Sequence, residues 1–275
     1  MDDPLETLME YAYKDDVVGV RRVLSEHPNL HPSTPEREDR IILGLTPLHS
    51  ACSAGAKNVV RYFLRRADVD VNARTNRMRM TPLMLLVDED ENEQAATEIC
   101  KMFFRGPRLD LQAKNIMGNT FPSVCVRGGG LVVLKHLLAM LPDQVLAHGN
   151  WFASAPDSAF DDSNNPKKPA ALRLFKEFFR QPEQTASRLR RELGLDREHA
   201  ADLLAQIVFL CDRLVFADVT RPQSGALRFF NVACRLPLEL QMLLCCRVAR
   251  VRGDIVPSAE RERAFRDLAY HFNSL

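Results

Sequence analysis

Residues 44–73, GLTPLHSACSAGAKNVVRYFLRRADVDVNA, decide the fold. Thr46 is suited to cap a helix, and Pro47 fits the first helical turn, where its missing N–H is not needed. Gly55 permits a tight turn that folds a second helix back on the first. The second helix has apolar residues at helical spacing: Val59, Val60, Phe63 and Leu64. The stretch therefore predicts two antiparallel helices followed by a loop.

The same pattern recurs along the first half of the chain. Thr81-Pro82-Leu83 opens a second copy 35 residues after Thr46, and residues 109–113 close it. A weaker copy starts at Gly118-Asn119-Thr120. Residues 5–30 lack the Thr-Pro signature but have the apolar spacing of two short helices. This pattern indicates a terminal repeat that departs from the consensus.

These motifs resemble the ankyrin repeat. Thr46-Pro47-Leu48-His49, the glycine in mid-repeat and the closing Asp-Val-Asn-Ala all occur in register. The resemblance implies an all-α ankyrin-repeat solenoid of about four repeats in residues 1–150, the first one atypical. It further implies that His49 bridges adjacent repeats by hydrogen bonds and that a client protein binds the concave face formed by the fingers and first helices.

Two sites are predicted on the loop after residue 70. Arg74, Arg77, Met78, Arg79 and Met80 form a basic finger with two flexible thioethers, which suits a protein partner, although exposed arginines are also common on turns. Asn72 matches the asparagine that a hydroxylase modifies in ankyrin proteins. The alternative for Asn72 is a purely structural residue of the turn. The acidic tract 88–93 is read as a solvated loop or as a contact for a basic partner.

The second half of the chain has a different character. Residues 151–169 are rich in Ser, Asp, Asn and Pro and are predicted to be a linker, with Trp151 covering the end of the repeats. Residues 170–235 are predicted to be helical, either as degenerate repeats or as a separate bundle. Six helices are expected beyond the linker, near residues 170–180, 183–193, 198–216, 226–234, 238–251 and 259–273.

Residues 236–275 begin with a Leu-Pro-x-Glu element that resembles an F-box. The resemblance implies that Leu236, Pro237, Leu240, Leu244 and Val248 form an apolar ridge docking on a Skp-type linker of a cullin ubiquitin ligase. An F-box-like element behind ankyrin repeats is the layout of poxviral (PRANC-like) host-range proteins. An ordinary terminal helix with Pro at its start is the alternative, and a SOCS box fits less well because 38 residues follow Pro237.

Composition narrows the function classes. Lys plus Arg number 37 and Asp plus Glu 36, so charge gives no reason to expect nucleic acid as a partner. The seven cysteines lack the spacing of a metal site, and no apolar stretch is long enough for a membrane span. No catalytic motif or cofactor fingerprint occurs. We expect a non-enzymatic adaptor of the cytoplasm or nucleus, or alternatively a protein that only sequesters its target.

Overall fold

The computed structural model describes residues 3–35, 44–87, 93–106, 108–147, 167–211, 233, 235–249, 251 and 255–273. These residues contain fourteen α-helices and no β-strand. The chain divides into two compact units, Met1–Leu189 and Arg190–Leu275. Among the described helices, none combines the length and the apolar character that crossing a membrane requires.

The first unit is a row of helix pairs. Its helices are α1 (Pro4–Tyr13), α2 (Val17–Glu26), α3 (Pro47–Ser53), α4 (Lys57–Leu64), α5 (Pro82–Leu85), α6 (Glu93–Phe104), α7 (Phe121–Gly128), α8 (Leu131–Met140), α9 (Pro142–Ala147), α10 (Lys167–Arg180) and the start of α11 (Pro182–Glu192). The odd-numbered helices α1, α3, α5 and α7 pack in one row, and α2, α4, α6 and α8 pack in a second row behind it. This arrangement is the all-α solenoid predicted from the sequence.

Threonine side chains cap the first helices of the second and third repeats, α3 and α5. The Thr46 side chain accepts the His49 backbone N–H, and the Thr81 side chain accepts the N–H of Met84, each with Pro at the first helical position. Gly55 adopts a φ of 67° at the turn between α3 and α4, which is a conformation that an L side chain rarely takes. The Thr-Pro pairs and Gly55 therefore act as the sequence predicts.

The helix pair α7–α8 continues the row after α5 and α6. Helix α10 then packs on both α7 and α8 and buries Leu172, Phe175 and Phe178. Burying side chains of this size contributes roughly 1.5–3 kcal/mol each. Helix α10 thus covers the end of the repeat row, and it begins at Lys167, three residues before the expected start. Trp151 and residues 151–166 of the expected linker lie outside the described residues.

The second unit contains the end of α11 with α12 (Asp196–Cys211), α13 (Leu238–Val248) and α14 (Ser258–Asn273). Helix α12 packs against α13 and α14 around small side chains such as Ala201, Ala205 and Cys245. The expected helix at 226–234 lies outside the described residues except for Ala233. The division after Leu189 places α10 in the first unit with the repeats.

Candidate protein-binding surface

Two loops that we call fingers connect successive repeats, and each is numbered after the helix pair that precedes it. The second finger, residues 68–80, follows the second pair (α3 and α4), and the third finger, residues 109–119, follows the third pair (α5 and α6). The second finger closes on itself through three hydrogen bonds. The Thr75 N–H donates to the Met80 carbonyl at 3.0 Å, the Met80 N–H to the Thr75 hydroxyl at 2.9 Å, and the Arg79 N–H to the Thr75 carbonyl at 3.0 Å. Arg79 adopts a φ of 54° at this turn. The finger has a fixed shape before any partner arrives.

His49 anchors the second finger to the preceding repeat. Its Nδ1 accepts the Thr46 backbone N–H at 3.1 Å, so the proton resides on Nε2, which donates to the Met80 carbonyl at 3.0 Å. The ring is fully buried, and this burial lowers the pKa of His49 to about 4. A neutral imidazole with both nitrogens bonded has no means of acting as an acid or base toward a ligand. The structure confirms the bridging role expected for His49.

The third finger is tied to the second at backbone level. The Ile116 N–H donates to the Met78 carbonyl at 2.9 Å. Buried Asn115 shapes the turn, because its side-chain oxygen accepts the N–H groups of Met117 at 3.0 Å and Asn119 at 2.9 Å. The tips of the two fingers are therefore neighbours with a defined register.

Asn72 and Arg108 join the bases of the fingers. The Asn72 amide donates to the Arg108 carbonyl at 2.6 Å and accepts the Asp110 N–H at 2.9 Å. The Arg108 guanidinium donates to the carbonyls of Val69 at 2.8 Å and Leu64 at 2.9 Å, where α4 ends. Helix ends leave carbonyls unpaired, and here a side chain of the next repeat satisfies them.

The exposed side chains lie at the finger tips. Arg74, Arg77 and Arg79 are exposed, and Met78 is half-buried. Met80 is only 8% exposed, so the sequence-based assignment of Met80 to the binding surface is wrong. Its backbone is held by His49 and Thr75 and its sulfur accepts from Asn115, which keeps the side chain inside the stack.

The third finger contributes apolar side chains that sequence reasoning missed. Ile116 is 60% exposed and Met117 is 65% exposed, and both follow Lys114. Aligning residues 71–75 with residues 111–115 places Lys114 opposite Arg74 and would have extended the prediction to this tip. The surface formed by both tips is basic on one finger and apolar on the next.

A comparison with protein-family models matches residues 8–115 to the family described as "Ankyrin repeats (3 copies)". Residues 8–115 are ankyrin repeats. No curated protein matches the chain. Ankyrin repeats are protein–protein interaction modules, and the ankyrin fingers described above are elements of that module. The helix pair α7–α8 packs on α5 and α6 beyond the matched residues.

Asn72 belongs to an ankyrin finger, as predicted. The turn itself is held by Asp70, whose carboxylate accepts the Asn72 N–H at 2.9 Å. Asp110 repeats the arrangement by accepting the Gln112 N–H at 2.8 Å. The Asn72 side chain is left to bridge to the next ankyrin repeat, and its modification stays a prediction.

The thiols of the ankyrin unit do not form a reactive site. Cys52, Cys100 and Cys125 are buried free thiols, as expected, and burial raises the pKa of each. Since the thiolate is the reactive form, these side chains behave as small apolar groups of the core. Across the described ranges there is no group of three or more His, Cys, Asp or Glu residues arranged to hold a metal ion.

The predicted C-terminal ridge lies on helix α13 of the second unit and just before it. Leu240 is 46% exposed and Val248 is 47% exposed, while Leu236 and Leu244 are half-buried and Pro237 is exposed. Leu244 packs partly against the core of the second unit. The comparisons give no support for an F-box-like or PRANC element in these residues, so their role remains a proposal.

Proposed function

We propose that the chain is a non-enzymatic adaptor that holds a client protein on the tips of its second and third fingers. The observation that carries this proposal is the exposure of three arginines beside Ile116 and Met117 on a scaffold fixed by hydrogen bonds. A surface that is already ordered loses little conformational entropy when it binds. Exposed apolar groups next to arginines are favourable anchors for a protein interface.

The client-binding proposal is tested by comparing partners of the wild type with those of an Ile116→Ser, Met117→Ser double variant. Affinity purification with quantitative mass spectrometry is expected to show at least one protein that the double variant loses. Val18→Ser is the matched control, since Val18 is 78% exposed on α2, away from the finger tips in sequence. Identical partner sets for all three proteins would refute the proposal.

The second part of the proposal is that helix α13 recruits a cullin ubiquitin ligase through a Skp-type linker. Two features support it. One is the Leu-Pro-x-Glu sequence at the start of α13, and the other is the exposure of Leu240 and Val248, which lie eight residues apart and therefore on one helical face. Apolar residues at this spacing are the anchors of helix-in-groove docking.

Co-purification of linker and cullin with the full chain tests this second part. Leu240→Asp is expected to abolish recovery of both subunits, whereas Ile255→Asp is the control because Ile255 is 68% exposed outside α13. If the wild type recovers neither subunit, the alternative function remains: an ankyrin protein that sequesters its client without a ligase. Its buried free thiols are compatible with the cytoplasm or nucleus that we propose as its location.

A further inference from the structure

We propose that the client segment held by the two finger tips is acidic, with Asp or Glu side chains on either side of at least one apolar side chain. This inference rests on the proposed client-binding function and adds the chemistry of the partner. It follows from the charges and apolar side chains that the fingers present, considered in turn.

Some cations of the first unit are paired with carboxylates of the same chain. Arg66 pairs with Asp68, Lys57 with Glu98 at 2.9 Å, and Arg188 with Glu177 at 2.8 Å. In each of these three pairs, a carboxylate of the same chain already lies beside the cation.

Arg74, Arg77 and Arg79 have no such partner among the described residues, where no carboxylate forms an ion pair with them. The acids at the base of the fingers are already engaged, since Asp70 and Asp110 each accept a backbone N–H of their own turn. Three guanidinium groups within six residues present paired N–H donors whose geometry matches carboxylates. Carboxylates of a partner protein would accept hydrogen bonds from these guanidinium groups and neutralise their charge.

The third finger supplies the apolar part of the surface. Ile116 and Met117 are exposed at the tip, and the Ile116 N–H bond to the Met78 carbonyl keeps them next to the basic finger. Met78, which lies between Arg77 and Arg79 in the sequence, is half-buried. A partner that offered charge alone would leave this apolar area in water, so the surface fits a segment with both kinds of side chain.

A protein partner fits these observations better than nucleic acid. Non-specific binding of a single strand uses aromatic side chains on which bases stack, and neither residues 68–81 nor residues 109–120 contain an aromatic residue. The net charge of the whole chain is +1, which gives no long-range attraction for a polyanion. The basic character is confined to the tip.

The test is a selection of peptides from a random library displayed on phage, with the full-length chain as bait. The selected peptides are expected to be enriched in Asp and Glu next to Leu, Ile, Met or Phe. Synthetic versions of the best peptides are then titrated by fluorescence anisotropy against the wild type and a variant in which Arg74, Arg77 and Arg79 are all changed to Gln.

The triple variant is expected to bind the peptides about 10- to 100-fold more weakly, since three exposed ion pairs of modest strength are lost. The control carries the same charge change elsewhere, as Arg65→Gln, Arg180→Gln and Arg191→Gln, all at exposed positions. The control is expected to bind like the wild type, and raising the salt concentration is expected to weaken wild-type binding. Circular dichroism checks that both variants fold.

The possible failures are distinguishable. Peptides that lose binding in the Ile116→Ser, Met117→Ser variant but are not acidic would overturn the inference and leave the client-binding function intact. Peptides that bind every finger variant like the wild type would overturn both. A 20-nucleotide single strand or a duplex that bound through the three arginines more tightly than the peptides would also overturn the inference.

Discussion

Replacing His49 with Gln should weaken the ankyrin unit at neutral pH far more than at mildly acidic pH. The change removes the hydrogen bonds from Thr46 N–H to Nδ1 and from Nε2–H to the Met80 carbonyl, at 3.1 and 3.0 Å, in a fully buried position. Each buried hydrogen bond contributes about 1 kcal/mol, so the variant should lose about 2 kcal/mol at pH 7.

The pH dependence follows from the lowered pKa of His49. Burial holds this pKa at about 4 in the folded chain, whereas an unfolded histidine titrates near pH 6.5. Between these values the unfolded chain binds more protons than the folded one, so stability is present above pH 6.5 and is lost as the pH falls toward 4. From pH 7 to pH 5 the wild type should lose about 2 kcal/mol through this group alone.

Gln does not titrate, so the His49→Gln variant does not lose this stability of about 2 kcal/mol between pH 7 and pH 5. Every other titrating group is shared with the wild type. The stability difference between the two proteins should therefore shrink from about 2 kcal/mol at pH 7 to less than about 1 kcal/mol at pH 5. Hydrogen exchange of peptides from α3 and α5, corrected for the intrinsic rate at each pH, measures the opening free energy.

Thr81→Val is the matched control for this experiment. It removes the cap of the next ankyrin helix, where the Thr81 hydroxyl accepts the Met84 N–H at 3.3 Å, and no histidine lies in that cap. The control should be less stable than the wild type by the same amount at both pH values. An equal gap between wild type and His49→Gln at pH 7 and pH 5 would refute the assignment of a buried, neutral imidazole.

Three further changes test the links between repeats. Asn72→Ala removes both hydrogen bonds of the Asn72 side-chain amide, to the Arg108 carbonyl and from the Asp110 N–H, and should cost about 1–3 kcal/mol in urea unfolding. Separately, an intact mass without a +16 species after coexpression with an asparagine hydroxylase would remove the proposal that Asn72 is modified. Gly44→Ala should destabilise by about 1 kcal/mol or more, because Gly44 has a φ of 56° and an added Cβ would meet the Asn76 side chain at 2.4 Å; unchanged thermal unfolding would contradict this. Asp15→Ala should cost about 1–2 kcal/mol by removing the acceptor for the first N–H groups of α4, and hydrogen exchange in α4 should rise while exchange in α8 stays the same.

The repeat row was predictable because its signals are local. A Thr-Pro pair starts α3 and α5, and a glycine turns the chain into α4, so each signal acts within a few residues of its own position. The bridging role of His49 came from the resemblance to ankyrin repeats rather than from spacing, and the bond to the Met80 carbonyl confirms it.

The contacts between repeats were not predictable in the same way. Arg108 bonds carbonyls 39 and 44 residues earlier, and Asp15 caps a helix 43 residues later. No periodicity in the sequence marks these residues. An arginine or aspartate in a loop is usually exposed, so its type gives no indication that it bonds to another repeat. The exposure of Ile116 and the burial of Met80 likewise depend on how two fingers pack, which no single repeat determines.

Met80 shows how one substitution would change stability and the proposed client binding together. Its carbonyl accepts from both His49 and Thr75, its N–H donates to the Thr75 hydroxyl, and its sulfur accepts from Asn115 of the next finger. A substitution at Met80 that disturbed this backbone would weaken three contacts together: the bond to His49, the Thr75 turn of the second finger and the contact with Asn115 of the third finger. Loss of client binding in such a variant would reveal nothing about direct contact. The side chains of Arg77 and Ile116 are exposed on the same scaffold, and substituting them leaves the backbone hydrogen bonds of the fingers in place, so substitutions at these tips separate recognition from folding.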